Sequence, residues 1–154
     1  MPPTFLKRSE QEAMALAKRV IKPETSEKMR FLMRLNAEVG TARKADVKGY
    51  YIGGKTGTAE KVVNGRYVKK RVLTAFTAIV PADHPQYQLL VMLDEPQATK
   101  DTFGFITSGW NAVPTGGTVI APIATLLGIA PRSAPPPPHR LLLSASQHNQ
   151  QGLH

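Results

Sequence analysis

The chain of 154 residues contains no cysteine, which excludes a disulfide-stapled scaffold, a thiolate-held zinc site and a thiol nucleophile together. It has no run approaching the ~20 apolar residues a helix needs to cross a bilayer. Its opening Met1-Pro2-Pro3-Thr4-Phe5-Leu6-Lys7 lacks the apolar stretch of a secretory signal, so any membrane anchor or export signal is expected outside these residues. Acidic residues are scarce in one half only. Residues 1–71 hold 17 Lys and Arg against 7 Asp and Glu, and residues 72–154 hold 3 against 4. The formal charge of +9 therefore belongs to the first half. Such an excess suits nucleic acid, an anionic surface or an acidic substrate, but the chain lacks the interleaved aromatics on which bases stack, so nucleic acid is not expected. His84 falls in a turn and His139, His148 and His154 in the tail, without ligand spacing; no metal and no cofactor is expected.

What remains is enough for one domain, with 42% hydrophobic and 20% charged residues to build and cover a core. Ser9-Glu10-Gln11-Glu12 is a capping-box pattern that opens a helix over residues 9–21, secure only to Lys18, with Pro23 as its stop. A second helix is expected from Thr25 or Ser26 to Val39, with Met29, Leu32 and Met33 on one face and Arg30 and Arg34 on another, closed by Gly40 in the left-handed conformation. Strands follow from Tyr50. Asn64-Gly65 between Val62-Val63 and Tyr67-Val68 predicts a two-residue hairpin, because both central positions of a type I′ turn need positive φ. A strand over residues 71–80 alternates Val72, Thr74, Phe76, Ala78 and Val80 with Leu73, Ala75, Thr77 and Ile79, two apolar faces that both call for cover. Residues 87–93 form the next strand, and the short link to it requires an antiparallel pair. Beyond Pro96 a loop is expected through Gly116-Gly117, then an apolar helix over residues 119–127 closed by Gly128 and Pro131. The Pro-rich, polar residues 133–154 read as a disordered tail.

Gly49-Tyr50-Tyr51-Ile52-Gly53-Gly54-Lys55-Thr56 has the spacing of a phosphate-binding loop, and Leu89 to Leu93 followed by Asp94-Glu95 has that of its acidic partner strand. A nucleotide triphosphatase is thus one alternative. That loop needs a buried strand before it and a helix after it. Here polar residues precede it, and Gly57 and Asn64-Gly65 leave no room for the helix. Read as a strand instead, Lys55 with the hydroxyls of Thr56 and Thr58 offers a cation and donors suited to a carboxylate, and Gly57 lets a ligand backbone come close.

Gly40-Thr41-Ala42, Gly53-Gly54-Lys55-Thr56-Gly57-Thr58-Ala59-Glu60, Pro85-Gln86-Tyr87, Leu93-Asp94-Glu95-Pro96, Gly109-Trp110-Asn111-Ala112-Val113-Pro114 and Leu126-Leu127-Gly128-Ile129-Ala130-Pro131 stand in this order. Together they resemble the C-terminal part of the class B penicillin-binding proteins, peptidoglycan D,D-transpeptidases, most closely the division-specific (septal) type. The resemblance runs from about Phe5 to Arg132. It implies an α+β fold, an antiparallel sheet with flanking helices, and a serine acyl-enzyme mechanism that β-lactams trap. Lys55-Thr56-Gly57 matches the family's Lys-Thr-Gly signature. By resemblance, Lys55 fixes the carboxylate of a stem peptide or β-lactam, Thr56 bonds the same carboxylate or supports the polar network, and Thr58 gives a backbone N–H to the oxyanion hole. Trp110 is expected to anchor the long loop against the sheet. The resemblance further implies divisome membrane proteins as partners of the parent protein, at the periplasmic face of the inner membrane.

The nucleophile has no counterpart here. None of Ser9, Ser26, Ser108, Ser133, Ser144 and Ser146 has Lys three residues on or Asn two residues on. Residues 1–132 are therefore expected to be the C-terminal portion of a transpeptidase domain, inactive alone. The competing alternative is a non-enzymatic binding or structural module on the same sheet. A partial domain is also expected to expose the edges and faces that the remainder would cover.

Overall fold

The computed structural model of the chain describes residues 4–132; the tail expected over residues 133–154 lies outside them. The elements run α1 (Glu10–Ala15), α2 (Pro23–Val39), a 3-10 turn (Arg43–Ala45), β1 (Gly53–Val63), β2 (Arg66–Val80), β3 (Tyr87–Asp94), a second 3-10 turn (Ser108–Trp110) and α3 (Ala112–Leu126). The fold is α+β. Its sheet is antiparallel in the order β1-β2-β3, and the hairpin turn forms at Asn64 (φ 51°) and Gly65 (φ 75°). Between Glu60 and Lys61 the register slips, and Lys69-Lys70-Arg71 bulge out of the pairing.

Several sequence expectations give way to longer-range forces. The capping box forms, with Ser9 accepting from the Glu12 N–H and Glu12 reaching back to Ser9 N at 2.8 Å. Yet α1 stops at Ala15 because it buries nothing, and a helix this short propagates only when packing supports it. Pro23 starts α2 rather than merely ending α1: it occupies the first turn, where its missing N–H costs no hydrogen bond. Gly40 is extended (φ −104°, ψ −153°), not left-handed. It is required for space, since a Cβ there would stand 2.3 Å from Asn36 Oδ1. Tyr51 (φ 48°) turns the chain just before β1, so the strand begins at Gly53 and not at Tyr50. The guanidinium groups of Arg34 and Arg132, each 5.6 Å from the ring centre, hold Tyr51 there.

Helix α3 starts at Ala112, seven residues before the expected start, and runs through Gly116-Gly117. These glycines are contact points. A Cβ at Gly116 would lie 2.6 Å from the Phe76 ring and one at Gly117 2.9 Å from Lys44 O. Phe76 is fully buried between Gly116 of α3 and Gly54 of β1, within a core that includes Ile52, Ala78, Val113, Ile120 and Ala124. On β2 the Phe76 face is buried under α3, whereas Leu73, Ala75, Thr77 and Ile79 are only half-buried. One face is thus fully covered, not both. The opposite face meets α2 at the start of β1, where a Cβ at Gly53 would stand 3.3 Å from Arg34 N.

The inward side of helix α2 is mixed, with Ala37 fully buried and Phe31 and Met33 half-buried beside Arg34. Arg34 binds Glu38, Asp46 and Ile52 O, while Met29, Leu32 and Val39 are exposed. Partial burial alone would lower the Arg34 pKa, but the hydrogen bond and charge of Asp46, with Glu38, raise it on balance. Leu90 and Met92 of β3 are exposed beside the strand's outer edge, which has no partner among the described residues.

Candidate functional site

The outer edge of β1 also lacks a strand partner among the described residues, and its hydrogen-bonding groups are assigned differently along its length. Gly54 O accepts from Asn36 Nδ2 at 2.8 Å, and Thr56 O accepts from Lys55 Nζ at 2.7 Å. In an antiparallel strand alternate residues direct both backbone groups to the same side, so the N–H of Thr58 points to that edge as well. Lys55 is exposed, and its side chain belongs to the opposite face from Thr56 and Thr58 but curls around the edge to reach Thr56 O. The sequence-derived residues Lys55, Thr56, Gly57 and Thr58 therefore converge on one edge: an ammonium, two hydroxyls and a backbone donor.

Two glycines in this strand differ in kind. A Cβ at Gly54 would lie 2.4 Å from the Phe76 ring, so core packing forbids it. At Gly57 it would meet only Ala75, at 3.9 Å, an ordinary contact. Nothing within the described chain demands glycine at 57.

Three residues that sequence reasoning did not single out hold the edge. Asn36 and Thr41 connect α2 to Thr56: Asn36 Oδ1 accepts from Thr41 N (3.1 Å) and Thr41 Oγ1 (3.2 Å), and Thr41 Oγ1 lies 3.0 Å from Thr56 Oγ1. Ser108 fixes the far end, donating its N–H to Thr58 Oγ1 (3.1 Å) and its hydroxyl to Ala75 O (2.6 Å). Asn111, the N-cap of α3, accepts from the buried Thr74 hydroxyl at 2.9 Å and donates to Ile106 O. The Ser-x-x-Asn spacing before a helix was the available signal. Ser108 and Asn111 bind the loop to the sheet directly. Trp110 instead caps a surface cluster, stacked on Phe105, edge-on to Phe103, with Lys44 Nζ 3.4 Å from its ring centre.

Beyond the bulge, Lys61 pairs with Asp94 and Glu95, and Arg71 with Glu95. Hydrogen bonds from Arg71 and then Lys61 hold the Glu95 carboxyl below its ordinary pKa. The bond to Asp94, then that to Glu95, raises Lys61. This network is exposed and lies away from residues 55–58. Among the described residues no three His, Asp or Glu gather as metal ligands, and no helix is long and apolar enough to cross a membrane.

Comparison with known proteins gives one consistent result. A family profile described as penicillin binding protein transpeptidase domain matches residues 1–107. The chain is 43% identical over 121 residues to the probable peptidoglycan D,D-transpeptidase FtsI of Caulobacter vibrioides, covering 73% of this chain and 20% of that protein. It is 35% identical over 130 residues to stage V sporulation protein D of Bacillus subtilis, covering 84% and 19%. The chain thus spans about a fifth of the length of these curated relatives. Among solved structures it resembles penicillin-binding protein 3 of Mycobacterium tuberculosis complexed with ampicillin (TM-score 0.64, 27% identity, 79% of this chain and 28% of that one). It also resembles the apo TP domain of Burkholderia pseudomallei penicillin-binding protein 3 (TM-score 0.64, 29% identity, 77% and 34%).

Proposed function

The chain belongs to the penicillin-binding protein transpeptidase family, and from that premise we propose that it forms the carboxylate-binding wall of a serine-type peptidoglycan D,D-transpeptidase of septal cell-wall synthesis. The observation that carries the proposal is the convergence of the Lys55 ammonium, the Thr58 N–H and the Thr56 and Thr58 hydroxyls on one unpaired strand edge. The ammonium and a hydroxyl hold the carboxylate of a stem peptide or β-lactam, fixing the ligand along β1. Gly57 leaves the strand surface flat so that the ligand backbone can lie against it. When a serine hydroxyl attacks the ligand carbonyl, negative charge collects on the carbonyl oxygen, and the Thr58 N–H stabilises it. One such donor contributes about 3 kcal/mol to the transition state.

The attacking serine is not drawn from this chain. No Ser-x-x-Lys occurs in it, and Ser108, the serine beside the edge, commits its hydroxyl to Ala75 O. In the parent protein the wall faces the remainder of a transpeptidase domain at the periplasmic face of the inner membrane, with divisome membrane proteins as partners. The non-enzymatic alternative uses the same edge to bind without acylation. The nucleotide-binding alternative has lost its basis, because β1 continues as strand from Thr56 to Val63, where a phosphate loop would need a helix. Incubation of the chain with labelled penicillin, followed by intact-mass measurement, is expected to show no covalent adduct. A stoichiometric adduct would require a nucleophile within the chain and overturn this account.

A further inference from the structure

The two ends of the β1-β2 hairpin do not share one register. At the turn, Val63 faces Arg66, Val62 faces Tyr67 and Lys61 faces Val68, as a two-residue loop at Asn64-Gly65 requires. Carried on without interruption, that register would set Thr58 against Arg71 and Thr56 against Leu73. The observed partners are Thr74 and Phe76. Lys69, Lys70 and Arg71 lie between Val68 and Val72 with no counterpart on β1, where Glu60 and Lys61 are consecutive. Because the offset is odd, it also decides the faces, putting Thr56 and Thr58 on the side of Phe76 and not on that of Leu73. The turn therefore leaves the register of residues 53–60 open, and the other end of the strand has to fix it.

The entry to β1 has a stop for each direction of slip. If every residue moved one place toward the turn, Ile52 would take the site of Gly53, where even a Cβ would stand 3.0 Å from Ala82 Cβ and 3.3 Å from Arg34 N. Ile52 would also leave the core in which it is fully buried. If every residue moved one place the other way, Lys55 would take the site of Gly54, where a Cβ would stand 2.4 Å from the Phe76 ring. A close-packed interior does not yield to either side chain. Two hydrogen bonds tie down the same point, from Ala82 N–H to Tyr51 O at 2.7 Å and from Arg34 Nη1 to Ile52 O at 2.9 Å.

We infer that Gly53 and Gly54 are positioning residues that lock β1 on β2 against slip in both directions, and that the three-residue bulge takes up any difference in length of the hairpin beyond it. A one-residue slip would turn the Thr58 N–H from the outer edge into the ladder. The lock thus keeps residues 55–58 aligned for a ligand while the hairpin tip is free to vary. That consequence rests on the carboxylate-binding reading above; the lock does not, and its test uses no ligand.

Two length variants of the full chain load the two stops. Lys69, Lys70 and Arg71 are exposed, so a change of length there meets no packing. With the turn in control, deleting Lys70 would drive Lys55 toward Phe76, and inserting one glycine after Lys70 would drive Ile52 toward Ala82. Close Hα–Hα contacts across the non-hydrogen-bonded pairs, observed by NMR, report the register. Both variants are expected to keep Thr58 against Thr74 and Thr56 against Phe76, with amide shifts in β3 and α3 unchanged. Gly57 against Phe76 in the deletion, or against Thr74 in the insertion, overturns the lock, and either variant decides by itself. Adding Thr56→Val and Thr58→Val to each variant cuts the hydroxyl ties to Thr41 and Ser108, which also hold this segment. Pairing that survives assigns the lock to the glycine pair. A slip that appears only after those two substitutions assigns it to the hydroxyls and overturns the role of Gly53 and Gly54.

Discussion

Gly54 and Gly57 lie three residues apart on one strand and answer to different constraints. Gly54 is buried, and its missing side chain is the space the Phe76 ring occupies. Gly57 is exposed, and its missing side chain leaves open space over the strand. Gly53 and Gly54, at the start of β1, are thus fixed by the core and by Asn36, while residues 55–58 are left for something outside. A strand can be rigid at one end so that it presents a precise edge at the other.

The sharpest way to break this contrast is to add one methyl group at each glycine. Gly54→Ala, driven into the Phe76 ring, should cost about 3 kcal/mol, at the upper end for overpacking. Urea denaturation reads it directly, and Phe76→Leu in the same chain should recover part of the loss. Ser108→Ala comes next. It removes a buried hydroxyl bonded to Ala75 O, and a cost of about 1–2 kcal/mol is expected, with increased amide exchange confined to the loop and Thr58.

A smaller effect is expected from the ion network at the far end of the sheet. Because the Glu95 pKa is lowered in the fold, first by Arg71 and then by Lys61, its contribution is present above the ordinary carboxylate range. It is lost as pH falls through the lowered value. Melting temperature against pH should therefore drop more steeply for the unmodified chain than for Glu95→Gln, and added salt should narrow the gap. The smallest effect on stability belongs to Gly57→Ala. Without a clash, and with less chain entropy to lose, it should be neutral or stabilising by at most about 1 kcal/mol, yet it should impair ligand binding by raising the strand surface.

Much of the sheet was legible in the sequence because its signals are local. Asn64-Gly65 dictates its own turn, and the alternation from Val72 to Val80 names its own faces. The cluster from Lys55 to Thr58 was visible for the same reason, since neighbours on one strand share one edge. What escaped depends on contacts between distant residues. Gly116-Gly117 looks like a helix breaker until Phe76 and Lys44 are set against it. Gly40 looks like a left-handed cap until Asn36 is seen filling the space. Of the face that carries Met29, Leu32 and Met33 only Met33 is half-buried, whereas Arg34 of the other face is drawn in because Asp46 and Ile52 O satisfy its guanidinium. Asn36 and Ser108 were missed because a single polar residue near a helix end carries no local mark of the strand it will hold.

The central claim is that residues 55–58, and not the glycine pair before them, form a carboxylate-binding edge. An amide-resolved NMR titration of the chain with ampicillin tests it most directly. The account predicts reversible shifts at Lys55, Thr56, Gly57 and Thr58, much smaller ones at Gly53 and Gly54, and their loss in Lys55→Gln. Shifts elsewhere with none at these four residues, or shifts that persist in Lys55→Gln, would contradict it.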